Sequence, residues 1–118
     1  MTKIDVKVKQ GRVETERAEV LVLGHYEGEG LQGEAARVDK ALHGLLKDVI
    51  KSGEFQGKSN QTVLLHTQGK LAAKRLLLVG LGKKKEARLD TIRQAMGTVT
   101  KRVKQAGVRS YVAPVFGR

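Results

Sequence analysis

The chain of 118 residues has no cysteine and no tryptophan, one proline, two phenylalanines and two tyrosines. Without cysteine there are no disulfides, no thiolate zinc sites and no cysteine nucleophiles, a composition compatible with a reducing compartment. With so few aromatic rings the core must be aliphatic, and little is left to stack on nucleic-acid bases. No apolar run approaches the roughly 20 residues that a membrane helix needs. Residues 1–9 alternate charged and apolar side chains, which does not fit a signal peptide. The expected location is cytoplasmic, with no membrane partner.

The chain is rich in positive charge. Lys and Arg number 23 against 12 acidic residues, a formal charge of +11. Such an excess raises the question of a polyanionic partner. The cations are not gathered in one block, however, and solvated faces account for many of them. The 40% of hydrophobic residues fits a globular chain,. A chain of this length buries roughly two-thirds of its unfolded surface, enough for a core without staples. We expect one domain over residues 1–118.

The chain is organised around residues 74–85. Leu76, Leu77, Leu78 and Val79 run without a polar break, which predicts a strand buried on both faces. Gly80 and Gly82 permit a sharp turn, and an amphipathic helix follows. Before this unit, residues 3–9 alternate, with Ile4, Val6 and Val8 on one side, as in a strand near an edge. Residues 10–12 form a turn. Residues 18–24 form a second buried strand on Val20 to Leu23. Residues 25–33 are a glycine-rich loop. The three-and-four spacing of Ala35, Val38, Leu42, Leu45, Leu46 and Val49 predicts one helix over 34–51. Phe55 is expected to pin the polar loop 54–60. Strands over 61–67 and 71–82 are joined by a short link, so an antiparallel pair is expected. Asp90 is the candidate N-cap of the last helix, whose buried face would carry Leu89, Ile92, Met96, Val99, Val103 and Ala106. Gly107 would end it. A fifth strand over 108–115 contains Pro114. The order predicts an α/β fold: a mixed, mostly parallel sheet of about five or six strands with helices on both faces.

Chemical signals are sparse. His25, His43 and His66 have no metal-ligand spacing, and no serine sits in a nucleophile elbow. No residue is assigned a catalytic or metal-binding role. The loop with Gly24, His25, Gly30 and Gly33 could cradle a phosphate on backbone N–H groups, but Glu27, Glu29 and Glu34 would repel it. Gly80-Leu81-Gly82 before a helix falls short of a dinucleotide fingerprint, because Lys85 stands where the third glycine belongs. Lys83, Lys84 and Lys85 could hold a phosphate by charge alone, or be a solvated turn. Arg93, Lys101, Arg102 and Lys104 lie on the outer faces of the last helix. Lys101, Arg102 and Lys104 sit in its last turns and suit its C-terminal dipole. With the three lysines, these four are the candidate DNA contacts.

Three stretches carry a resemblance. Residues 18–42 contain Leu-Val-Leu-Gly-His-Tyr-Glu-Gly-Glu-Gly-Leu-Gln-Gly-Glu-Ala-Ala-Arg-Val-Asp-Lys-Ala-Leu. Residues 53–67 contain Gly-Glu-Phe-Gln-Gly-Lys-Ser and Thr-Val-Leu-Leu-His-Thr. Residues 74–83 read Lys-Arg-Leu-Leu-Leu-Val-Gly-Leu-Gly-Lys. In this order and spacing they resemble the N-terminal domain of the leucine aminopeptidase (cytosol aminopeptidase) family. The resemblance implies a macro-domain-like fold and a non-catalytic domain that helps build homo-hexamers and shapes access to the active site. It implies a parent enzyme that removes N-terminal amino acids from peptides. Its two divalent ions, Zn or Mn, would sit in a C-terminal catalytic domain absent from this sequence, leaving no cofactor here. Some bacterial members bind DNA, and macro domains suggest ADP-ribose or another phosphorylated ligand. The asparagines of an ADP-ribose site are missing from residues 23–33.

Overall fold

A computed structural model describes residues 5–9 and 13–114. The expected turn at residues 10–12, Lys3, Ile4 and Val115 fall outside the described residues. The chain forms five strands, β1 Asp5–Lys9, β2 Val20–His25, β3 Thr62–His66, β4 Arg75–Gly80 and β5 Ser110–Pro114. They form one sheet in the order β1-β5-β2-β4-β3. Strands β1, β5, β2 and β4 run parallel to one another, and β3 is antiparallel to β4. The mixed, mostly parallel sheet is therefore as expected.

The two continuous apolar runs are the central pair. Leu21 pairs with Leu76 and Leu23 with Leu78, while Val22 pairs with Leu77. Alternate residues enter opposite faces, because side chains reverse at each step along a strand. Leu21, Leu23, Leu76 and Leu78 pack with Val38, Leu42, Leu46, Val49 and Phe55. Val20, Val22, Leu77 and Val79 pack on the other face with Ala95, Val99, Val103 and Tyr111. Neither strand has a wet face, so neither alternates in polarity. Burying each such leucine contributes about 1.5–3 kcal/mol.

The segment expected as one helix is two, α1 Gly33–Ala41 and α2 Leu45–Lys51. His43 and Gly44 break it with φ of 58° and 87°. The buried Asp39 carboxylate explains the break. Its Oδ1 accepts N–H bonds from Leu46 at 2.8 Å and Lys47 at 3.3 Å, capping α2 from the side. The apolar spacing survives the break because both halves face the same core. Spacing alone could not reveal it.

The last helix, α3, spans Leu89–Gln105. Its N-cap is Arg88, not Asp90. The Thr91 hydroxyl accepts the Arg88 N–H at 3.0 Å, a cap contact made from inside the helix. Asp90 lies in the first turn and accepts a bond from Gln94 Nε2 at 2.8 Å. Leu89 is not on the buried face; it is 88% exposed. The apolar stripe of α3 joins the core only from Ile92 onward.

The edges depart from the simple pattern too. β1 is an edge strand as expected, yet Val6 and Val8 are 45% and 62% exposed. β3 and β4 form the expected antiparallel pair, with shorter strands and a longer connection. Thr67 closes that connection, its hydroxyl donating to the Ala73 carbonyl at 2.6 Å and the Lys74 carbonyl at 2.9 Å. Leu71 is thus in the loop, though still buried.

Candidate functional site

The loop after β2 leads to α1, and the loop after β4 leads to α3. These helices cover opposite faces of the sheet, and β2 and β4 are neighbours. The loops therefore part at the carboxyl ends of two adjacent parallel strands. Open α/β sheets place their ligand crevice at such a switch point.

The backbones stitch the site together. Leu81 N–H donates to the His25 carbonyl at 2.9 Å, and Glu27 N–H donates to the Gly82 carbonyl at 2.9 Å. A third strand of chain crosses beside them, with Gly82 N–H on the Gly57 carbonyl at 2.9 Å and Asn60 N–H on the Gly80 carbonyl at 2.9 Å. A Cβ on Gly80 would lie 1.9 Å from the Lys58 carbonyl oxygen. The close approach that Gly80-Leu81-Gly82 permits is thus used by the chain's own 57–58 backbone. No dinucleotide is needed to explain those glycines.

Gln61 holds this crossing segment, a role the sequence did not signal. Its Oε1 accepts N–H bonds from Gln56 at 2.9 Å and Lys58 at 3.3 Å. Asn60 Oδ1 accepts the Thr98 hydroxyl at 3.0 Å, tying the segment to α3. Phe55 is fully buried, as expected, and its ring lies 6.3 Å from the His25 ring.

His25 ends β2 rather than opening the loop, and it is 7% exposed. Burial pushes its pKa below the usual histidine value, while the Glu29 backbone and then the Glu29 carboxylate pull the other way. His25 thus supports the loop from below.

A cleft of about 660 Å³ opens above, lined by Glu27, Gly28, Glu29, Lys83, Lys84 and Lys85. Two candidate regions far apart in sequence, the glycine loop and the lysine run, meet here. Of the candidate loop residues, Gly24, His25, Gly30 and Gly33 do not line the cleft. Gly24 packs against Leu81, where a Cβ would be 2.9 Å from its side chain, and Gly33 opens α1. Three of the four α3 candidates do not join the lysines. Lys101, Arg102 and Lys104 lie 12 or more residues beyond Leu89, about 18 Å or more along the helix. Arg93 stands 3.9 Å from Asp90. Lys101, Arg102 and Lys104 thus lie apart from the loop lysines, and the lysines share their cleft with two carboxylates.

His43 lies at the break between α1 and α2 and His66 at the end of β3, so the three histidines stay apart. Among the described residues no group of three or more His, Asp and Glu could hold a metal ion. The donor set of a dinuclear metal centre does not fit these residues. Among them, too, no helix is long and apolar enough to cross a membrane.

The N-terminal domain of the cytosol aminopeptidase family matches residues 22–116. The chain belongs to that family. A probable cytosol aminopeptidase of Glaesserella parasuis is 39% identical over 100 residues, covering 85% of this chain and 20% of that protein. One from Actinobacillus pleuropneumoniae is 35% identical over 104 residues, covering 88% and 21%. This cytosol aminopeptidase N-terminal domain therefore spans about a fifth of the length of these curated relatives.

The fold is shared more widely. A mutant of tomato leucine aminopeptidase superposes with a TM-score of 0.71 at 24% identity, over 96% of this chain and 23% of that one. The macrodomain of Mycobacterium tuberculosis DarG superposes with a TM-score of 0.72 at 15% identity, over 92% and 74%. The macro-like α/β architecture is common to all three.

Proposed function

We propose that residues 1–118 are one non-catalytic domain serving a metal-dependent aminopeptidase. Its work is assembly of the subunits into a homo-hexamer and shaping of the entrance to a catalytic site carried by another domain of the polypeptide. The observation that carries this reading is the family match over residues 22–116, set against relatives about four times as long. In this reading the divalent ions, Zn or Mn, are bound in the C-terminal catalytic domain, and the reaction is removal of N-terminal amino acids from peptides in the cytoplasm.

The test compares two proteins. The purified 118-residue chain, given Mn or Zn ions, should release no product from a leucyl anilide. The full product of the gene should turn it over and run as a hexamer in native mass spectrometry. Robust turnover by the short chain would overturn the non-catalytic assignment. An inactive full product would overturn the aminopeptidase reading itself.

A further inference from the structure

The cleft at the ends of β2 and β4 is charged on both sides, with opposite signs. Glu27 and Glu29 flank Gly28 on one wall, and Lys83, Lys84 and Lys85 make the other. The walls are fixed to one another by main chain, through the Glu27 N–H to Gly82 carbonyl bond of 2.9 Å and the Leu81 N–H to His25 carbonyl bond of 2.9 Å. Yet no ion pair spans the cleft among the described residues. Five charged side chains thus share one cleft, held on a stitched frame, with their charges unneutralised by one another.

That arrangement selects by charge pattern. An anion meeting the lysines is opposed by two carboxylates, and a cation meeting the carboxylates is opposed by three ammonium groups. A molecule carrying both an ammonium and a carboxylate satisfies both walls. The groove is open to solvent and has about 660 Å³, room for a dipeptide-sized molecule to lie along it rather than be enclosed. We propose that this cleft binds a small zwitterion of dipeptide size, its ammonium against Glu27 and Glu29 and its carboxylate against Lys83, Lys84 and Lys85. Because the walls are open to solvent, their charges are screened and the affinity is modest, in the millimolar range.

Three probes differing only at their termini test this. Alanyl-alanine is the zwitterion, N-acetyl-alanyl-alanine lacks the ammonium, and alanyl-alanine amide lacks the carboxylate. Each is titrated into the isotope-labelled 118-residue chain at low salt, and amide shifts are followed. Alanyl-alanine should shift Gly28, Glu29, Lys84 and Lys85 saturably, about tenfold more tightly than either blocked form. Replacing both Glu27 and Glu29 by Gln should remove that preference and raise affinity for the acetylated probe. Both positions lie at the surface of a loop, and the spectrum itself reports whether the variant is folded. Equal or tighter binding of the acetylated form to the unaltered chain would overturn the proposal, leaving a simple anion site. So would the absence of saturable shifts with all three probes. No peptidase turnover is measured, so this outcome is separate from that of the aminopeptidase reading.

Discussion

Gly80 is required at its position for a reason that lies elsewhere in the chain. Its φ is not among the positive ones, so conformational freedom is not the issue. The issue is the Lys58 carbonyl oxygen, 1.9 Å from where a Cβ would sit, and the Gly57 carbonyl carbon, 2.6 Å away. Backbone cannot rotate aside as a side-chain tip can. Gly80→Ala should therefore cost about 2–3 kcal/mol, as overpacked sites do. Gly30→Ala, with nothing within 4 Å of the new atom, should stay within about 0.5 kcal/mol. Urea titration of both variants checks the contrast, and equal midpoints would refute it.

His25 gives the second prediction at this scale. Burial depresses its folded pKa below the unfolded value of 6.5. The unfolded chain thus binds the proton more readily, and protonation favours unfolding. This contribution to stability is fully present above the unfolded pKa and is lost as pH falls through the folded pKa. Thermal midpoints should drop on going from pH 7.5 to 5.5. His25→Phe, which keeps an aromatic ring beside Phe55, should flatten that part of the profile. An unchanged slope would assign the loss to other groups.

At the scale of the element, the break between α1 and α2 is the informative feature. A helix over residues 34–51 has good apolar spacing. What stops it is one carboxylate with two N–H donors, and a residue pair able to hold positive φ. Asp39→Ala leaves the buried Leu46 N–H without its acceptor and should cost about 1–2 kcal/mol. Asp39→Asn keeps an oxygen in place and should cost less than half of that. If both substitutions cost the same, the charge rather than the bond is the stabilising term. At α3, Leu89 illustrates the opposite error. It continues the spacing of the buried face but is 88% exposed, since periodicity carries no information on which turns of a helix are covered by the rest of the fold.

At the scale of the whole molecule, the sheet order makes β2 and β4 the centre. Both are covered by helices on each face, whereas β1 pairs on one side only and its Val6 and Val8 are exposed. Amide exchange should follow that order. Amides of Leu21 to Leu23 and Leu76 to Val79 should open only with global unfolding, and those of β1 should exchange by local opening at a lower free energy. Uniform protection of all five strands would contradict this. The positive charge follows the same logic. Of the candidate contacts, the cleft lysines and the cations at the far end of α3 are separated by most of a helix length, so these two groups do not form one continuous basic surface.

The sequence by itself determined the two double-faced strands, the edge character of β1, the pairing of β3 with β4 and the family. Each depends on local patterning or on segments kept in order, and unbroken aliphatic runs fit only a strand covered on both sides. The tertiary structure alone decided what lies beside what. Asp39 reaches the start of α2 only because the chain folds back there, and the 57–58 backbone fills the space over Gly80 only because the loop crosses β4. Glu27 and Glu29 face Lys83, Lys84 and Lys85 because β2 and β4 are neighbours sending their loops to opposite faces. Contacts between residues more than 50 positions apart depend on the order of strands in the sheet, and no periodicity in the chain encodes that order.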